Sequence, residues 1–404
     1  MPRFRTLDDL DPRGMRVLVR VDFNVPMQDG EVTDATRIER AATTLRELLD
    51  KGGRVIAISH FGRPKGRREP SMSLAPIAPV LARVLGTDVA FAEDCIGEPA
   101  ERVVSALGDG RIALLENLRF HPGEEKNDPA FADALAALGE VYVNDAFSCS
   151  HRAHASVTGL PARLPAYAGR LLEAEISALE KALGGARRPA AALIGGAKVS
   201  TKLAVLENLL ERIDLLILGG GMANTFLAAR GIAVGRSLCE HEMLDTAQRI
   251  LARAEENGTE LLLPSDGVVA TEFREHAPTR TVPVEAVAPE EMILDIGPET
   301  VRRITERLDR CHTLLWNGPL GAFEVPPFDR GTVEVARAAA ERTERGDLET
   351  VAGGGDTVAA LAHAGVLERF SYVSTAGGAF LEWLEGKTLP GIAALEAAAD
   401  RMSA

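Results

Sequence analysis

Residues suited to holding an anion recur in this sequence just after short apolar runs. Residues 17–21 lead into Asp22-Phe23-Asn24, and residues 55–58 lead into His60-Phe61-Gly62-Arg63-Pro64. Residues 112–115 lead into Glu116-Asn117-Leu118-Arg119-Phe120, and a later segment reads His151-Arg152-Ala153-His154. Guanidinium groups bind carboxylate and phosphate oxygens through paired N–H donors, so arginines gathered at such points fit a small acidic substrate. Any one of them, taken alone, reads more readily as an ordinary surface residue. Arg37 is more telling, because it falls in the first turn of a helical pattern, where the macrodipole disfavours a cation unless an anion is near.

A second set of sites is built from glycine. Gly195-Gly196-Ala197-Lys198-Val199-Ser200-Thr201-Lys202, Gly219-Gly220-Gly221 and Gly353-Gly354-Gly355-Asp356-Thr357 each follow an apolar run. Glycine turns let backbone N–H groups approach a phosphate, and a following helix adds positive potential. Lys198 and Lys202, four apart, are expected on one face of a helix's first turn, with a phosphate between them. Asp356 reads either as a helix N-cap or as a carboxylate holding Mg²⁺ on a nucleotide.

The elements that must position these groups alternate in type. Strand-like runs at 17–21, 55–58, 89–91, 112–115 and 141–143 are separated by helical patterns, one with the stripe Ile38, Ala41, Ala42, Leu45, Leu48 and Leu49. The rhythm restarts at 191–194, 215–218, 261–263, 313–316 and around Val351. Strands alternating with helices imply an α/β fold with parallel sheets covered on both faces, and ligands outside the carboxyl ends of the strands. The expected plan is two Rossmann-like lobes joined by a helical hinge: residues 1–170, a connector at 171–186, residues 187–385, and a C-terminal segment at 386–404.

Composition narrows the function. The chain has 404 residues, too many for one core, and 46% hydrophobic with 26% charged residues suits a globular protein. A net charge of −14 and only 4% aromatic residues argue against a nucleic-acid partner. No apolar run approaches a membrane span and none follows the N-terminus, so neither a membrane nor a signal peptide is expected. Cys95, Cys149, Cys239 and Cys311 are scattered, which suits free thiols in a cytoplasmic protein. Gly386-Lys387-Thr388 lacks the glycine a P-loop needs, no GxGxxG follows the first strand, and His151, His154 and Cys149 lack a fourth partner for zinc.

The ordered set of motifs resembles the phosphoglycerate kinase family. It comprises Arg20-Val21-Asp22-Phe23-Asn24-Val25-Pro26, Thr36-Arg37-Ile38, Ser59-His60-Phe61-Gly62-Arg63-Pro64, Glu116-Asn117-Leu118-Arg119-Phe120, Asn144-Asp145-Ala146-Phe147 and His151-Arg152-Ala153-His154-Ala155-Ser156. It continues through Gly195-Gly196-Ala197-Lys198-Val199, Leu294-Asp295-Ile296-Gly297-Pro298, Trp316-Asn317-Gly318-Pro319, Gly353 to Thr357 and Leu384-Glu385-Gly386-Lys387. The resemblance implies reversible transfer between 1,3-bisphosphoglycerate and MgADP by a monomer that closes about a hinge. It implies that Asp22, Phe23, Asn24, Arg37, His60, Phe61, Gly62, Arg63, Arg119 and Arg152 form the phosphoglycerate site. Lys202, Gly220, Gly221, Gly297, Glu324, Gly354, Gly355, Asp356 and Thr357 would hold ATP or ADP, with Glu324 on the ribose and Asp356 meeting Mg²⁺. Arg37 and Lys198, assisted by backbone amides near Gly354 and Gly377, would neutralise the group in transfer.

The chain departs from the family pattern at Ser148-Cys149-Ser150, Ser265-Asp266-Gly267, Asn224 and Ala376. Ala376 would be strained if its backbone needed positive φ. A non-catalytic nucleotide- or anion-binding protein and a nicotinamide dehydrogenase are the rival readings. The first is opposed by Arg37 and Lys198 both being present, the second by the missing GxGxxG.

Overall fold

The apolar run Val17-Leu18-Val19 is fully buried in β1 (Arg16–Arg20), which places it inside a sheet covered on both faces. Around it the computed structural model, which describes residues 4–403, arranges β2 (Arg54–Ile58), β3 (Val89–Ala92), β4 (Ile112–Leu115), β5 (Val141–Asn144) and β6 (Ala166–Ala168). The order is β3-β4-β2-β1-β5-β6, and every pairing is parallel. Arg20 pairs with Ile58 and with Asn144, so the ends of three adjacent strands open onto one edge. Helix α1 (Thr36–Asp50) buries Ile38, Ala41, Leu45 and Leu48 against this sheet's core, as its stripe predicts; Ala42 is buried too, while Leu49 is only partly buried.

The division into two units falls within α2 (Arg170–Leu179), between Ser177 and Ala178, and again between Lys387 and Thr388. The first unit therefore includes the C-terminal helix Pro390–Ser403. That helix is tied in by Gly391 N–H donating to Ser150 O at 2.8 Å, and a Cβ on Gly391 would sit 2.8 Å from Val157. The start of α2 is held by Asp145, whose Oδ1 accepts from Leu171 N at 2.9 Å. Burial raises the Asp145 carboxyl to about 7.

The second unit repeats the plan. Strands β7 (Ala190–Ile194), β8 (Leu215–Leu218), β9 (Glu260–Leu262), β13 (Thr313–Asn317), β14 (Glu349–Gly353) and β15 (Tyr372–Ser374) form a parallel sheet ordered β9-β8-β7-β13-β14-β15. Between β9 and β13 the chain inserts an antiparallel sheet, β11-β10-β12, made of Asp266–Ala270, Arg280–Pro283 and Met292–Ile296 as β10, β11 and β12. The sequence pattern does not announce this insertion. Helices α3 (Leu203–Leu209), α4 (Gly220–Ala229), α5 (Pro298–Leu308), α6 (Gly355–His363) and α7 (Gly377–Leu384) follow turns of this unit.

Candidate active site

In the first unit the strand ends converge. The Asp22 carboxylate accepts from Arg37 Nη1 at 2.7 Å and from Ser148 Oγ at 2.5 Å. The conflict between Arg37 and the dipole of α1 is thus already met by Asp22, and the helix position alone does not call for a ligand. Asn24 Oδ1 accepts from Gly62 N at 2.9 Å, and Arg119 Nη1 donates to Gly62 O at 2.7 Å. Asn24, Gly62 and Arg119 therefore form one connected rim. Arg63 is exposed, while Phe61 and Arg152 are half-buried. Phe23 is different: its side chain is fully buried in the core, its N–H donates to Ser59 Oγ and its carbonyl accepts from Val25 N. It shapes the rim and offers no free polar group to a ligand.

The charge that remains is positive. Arg119 is 5% exposed, and its Nε meets the exposed Glu125 carboxylate at 3.5 Å in an ion pair that is not a well-formed hydrogen bond. Burial, then the neighbouring Arg20 and Arg152, depress its affinity for a proton. Burial, then Arg119, Arg20 and Arg152, lower His154 to about 3, and burial followed by the same guanidiniums pushes His60 well below its ordinary value. A buried guanidinium whose ion-pair partner is long-range and solvent-exposed, among others of like charge, is stabilised by an anion.

In the second unit a cleft of about 610 Å³ opens beside the carboxyl ends of the strands. Gly220, Gly221, Glu324 and Asp356 line it, as do Gly196, Ala197, Asn224, Leu238, Phe273 and Leu294. Much of the apolar wall comes from the inserted antiparallel sheet and its flanks, for which no motif gives a signal. Asn224 is buried in α4 and donates from Nδ2 to Leu238 O at 3.2 Å. Asp356 lies in the first turn of α6, with Gly354 in the N-cap position and no side-chain cap, so the N-cap reading of Asp356 does not hold.

Several residues expected at the cleft are not among those that line it. Lys202 is the N-cap residue of α3, and Lys198 lies on the exposed loop before it, so neither occupies a helix's first turn. Burial lowers the Lys202 pKa, and its ammonium donates to Asn317 Oδ1. Asn317 Nδ2 in turn donates to Gly353 O at 2.7 Å, linking the lysine to the glycine turn. Thr357 is buried, its Oγ1 accepting from Gly318 N at 2.7 Å. Gly355 is exposed at the first position of α6. Gly297 is not part of the cleft wall. A Cβ there would lie 2.2 Å from the Asp266 carboxylate, which accepts from Glu299 N at 3.0 Å and Thr300 N at 2.8 Å. Gly297 makes room for the carboxylate that caps α5. Ala376 has φ −97°, so it carries no left-handed strain, and Gly377 opens α7 with free space at its Cα.

The first unit resembles an acid-binding site and the second a nucleotide-binding one. Residues 7–387 match the family model described as phosphoglycerate kinase. The chain belongs to the phosphoglycerate kinase family. The phosphoglycerate kinase of Methylobacterium radiotolerans is 62% identical over 398 residues, covering 98% of this chain and 100% of that one. That of Granulibacter bethesdensis is 62% identical over 394 residues, with the same coverage. A solved phosphoglycerate kinase from Coxiella burnetii superposes with a TM-score of 0.91 at 42% identity, covering 97% of this chain and 98% of that one. Membership makes the chain an enzyme, a glycolytic kinase that uses a nucleotide.

Among the described residues, one other group could hold a metal: donor atoms of Asp94, Cys95 and His121 lie within 4.8 Å of one another. The 2.6 Å contact between His121 Nε2 and Asp94 Oδ1 is a hydrogen bond. Two ligands on one tetrahedral zinc stand roughly 3.3 Å apart, given bonds of about 2 Å. Asp94 and His121 thus satisfy each other without an ion. No helix among the described residues is long and apolar enough to cross a membrane.

Proposed function

We propose that this kinase reversibly transfers a phosphoryl group between 1,3-bisphosphoglycerate and MgADP, giving 3-phosphoglycerate and MgATP. The observation that carries the reading is the cluster of the buried Arg119 with Arg152 and His60, in which the ion-pair partner of Arg119 is the exposed Glu125 at 3.5 Å. Such a cluster suits a small molecule carrying both a phosphate and a carboxylate. The glycine-edged cleft of the second unit, with apolar walls and a few polar groups, suits a nucleotide.

The acceptor carboxylate is already ionised at neutral pH, so the reaction needs no general base. Catalysis is then positioning plus stabilisation of charge. Asp22 holds Arg37 in the free enzyme, and Arg37 would turn part of its donor set to the substrate. Asn24, Gly62, Arg63, Arg119 and Arg152 would hold the acid's remote phosphate and carboxylate, with Arg37 and Lys198 on the group in transfer. Backbone amides near Gly354 and Gly377 would add hydrogen bonds to its oxygens. Lys202, steadied by Asn317, would neutralise nucleotide phosphate, and Glu324 would meet the ribose. Asp356 fits Mg²⁺: it lines the cleft and has no ion-pair partner among the described residues, and Mg²⁺ is commonly held by one carboxylate plus phosphates. The ion would draw charge from the phosphate oxygens.

Residues 171–186 would serve as the connector, and free cysteines at all four positions suit a reducing cytoplasm. Among the described residues the two exposed large hydrophobics, Leu238 and Phe273, both line the cleft, which favours a monomer. The reading is tested by initial rates of ATP consumption with 3-phosphoglycerate, with and without Mg²⁺. Consumption requiring all three supports it; none under any condition refutes it.

A further inference from the structure

Arg20 is the largest charged side chain wholly buried in the first unit, and no step above employs it. Its Nη2 lies 3.1 Å from His60 Nδ1 and 3.5 Å from Cys149 Sγ. Its Nε donates to Ser156 Oγ at 2.9 Å and its Nη1 to Val21 O. Ser156 Oγ donates in turn to Glu124 Oε1 at 2.6 Å, so the guanidinium is held on three sides.

A guanidinium has five N–H donors and no acceptor. The imidazole nitrogen facing it must therefore accept, and the ring's single proton must reside on the other nitrogen. We propose that Arg20 is a positioning residue that fixes His60 as the Nε2–H tautomer, making it a one-way hydrogen-bond donor to an oxygen of the substrate. The opposite tautomer would set N–H against N–H. A doubly protonated ring would do the same, and would add charge beside Arg20, Arg119 and Arg152, with His154 and the Cys149 thiol the other titratable groups nearby. His60 thus supplies directionality where a further cation would be expelled. The inference rests on the proposed reading of His60 as a substrate contact, but the lock itself is a property of the free enzyme.

The test is a long-range ¹H–¹⁵N spectrum of the full-length, ¹⁵N-labelled chain, with the His60 signals assigned by their loss in His60→Gln. The expected result is a protonated Nε2 and a bare Nδ1 across about pH 5.5–8, the range in which an ordinary histidine titrates. Adding 3-phosphoglycerate should move the Nε2–H signal. A protonated Nδ1, or titration to the imidazolium within that range, overturns the proposal. The expected tautomer without response to 3-phosphoglycerate upholds the lock and refutes the substrate role of His60, which separates the two failures. Kinetics supply a second reading, since a glutamine amide nitrogen reaches the Nε2 position and an asparagine amide reaches Nδ1. His60→Gln should keep the 3-phosphoglycerate KM within about threefold, and His60→Asn should raise it about tenfold, the scale of one hydrogen bond. Equal effects of the two would overturn the donor role. Arg20→Gln, whose amide can also accept, should yield a mixture of tautomers. If that variant does not fold, the wild-type spectrum still decides.

Discussion

Gly354 offers a sharp perturbation. Its backbone sits at φ +100° and ψ 141°, a region essentially reserved for glycine, and a Cβ built on it would lie 2.6 Å from Asn317 Nδ2. Gly354→Ala therefore has two costs. Holding alanine in that conformation costs about 1–3 kcal/mol. Asn317 must also move, loosening both its 2.7 Å bond to Gly353 O and its acceptance of the Lys202 ammonium. A hydrogen bond to a charged group contributes about 1.5–3 kcal/mol. The first cost falls on the fold, and should lower the melting temperature by about 2–4 °C per kcal/mol for a unit of this size. The second falls on the nucleotide site, and should raise the nucleotide KM by roughly 10–10². The 3-phosphoglycerate KM, governed by the other unit, should stay within about twofold. Thermal melts and initial rates with each substrate varied separate the costs. Wild-type melting together with a wild-type nucleotide KM would refute the argument.

Arg37→Ala and Lys198→Ala should each lower kcat by at least ~10²-fold, the scale of losing one preorganised donor; near-normal turnover in either would remove it from the chemical step. Arg63→Ala should act chiefly on the 3-phosphoglycerate KM, and a pure kcat defect would contradict that role. Asp145 gives a pH signature: its folded carboxyl titrates near about 7 against 3.8 unfolded, so the folded state binds more protons between those values and stability falls as pH rises through them. The penalty is fully present above pH 7, on the order of 4 kcal/mol. Asp145→Asn should therefore gain stability relative to wild type between pH 5 and pH 8 in denaturant melts, and a constant difference would sink the idea. Asp266→Ala should cost about 1–2 kcal/mol of stability through the lost cap, with the 3-phosphoglycerate KM unmoved.

The parallel sheets were legible because their strands are continuous apolar runs, and β4 occupies the residues the pattern indicates. Glycine turns and strand-end arginines were legible for the same reason: each follows such a run. The antiparallel insertion was not, since β11 is mostly exposed and β10 opens on Asp266-Gly267, leaving only three apolar residues there to read. Spacing alone placed Lys198 and Lys202 on a helix face, but α3 begins only at Leu203, and the lysine's partner, Asn317, is 115 residues away. Phe23 and Gly297 lie inside true motifs yet serve the fold. One is core and the other clears space for the Asp266 cap, roles set by contacts that a linear motif does not encode. The pairing of Arg20 with His60 is of the same kind, buried and 40 residues apart.

The most direct test of phosphoryl transfer is a ³¹P NMR time course with the full-length enzyme, MgATP and 3-phosphoglycerate, without coupling enzymes. ADP and an acyl-phosphate resonance should appear together in equal amounts, and ATP should be regenerated when excess ADP and 1,3-bisphosphoglycerate are supplied instead. Inorganic phosphate released in place of the acyl phosphate, or no reaction in either direction, would contradict it.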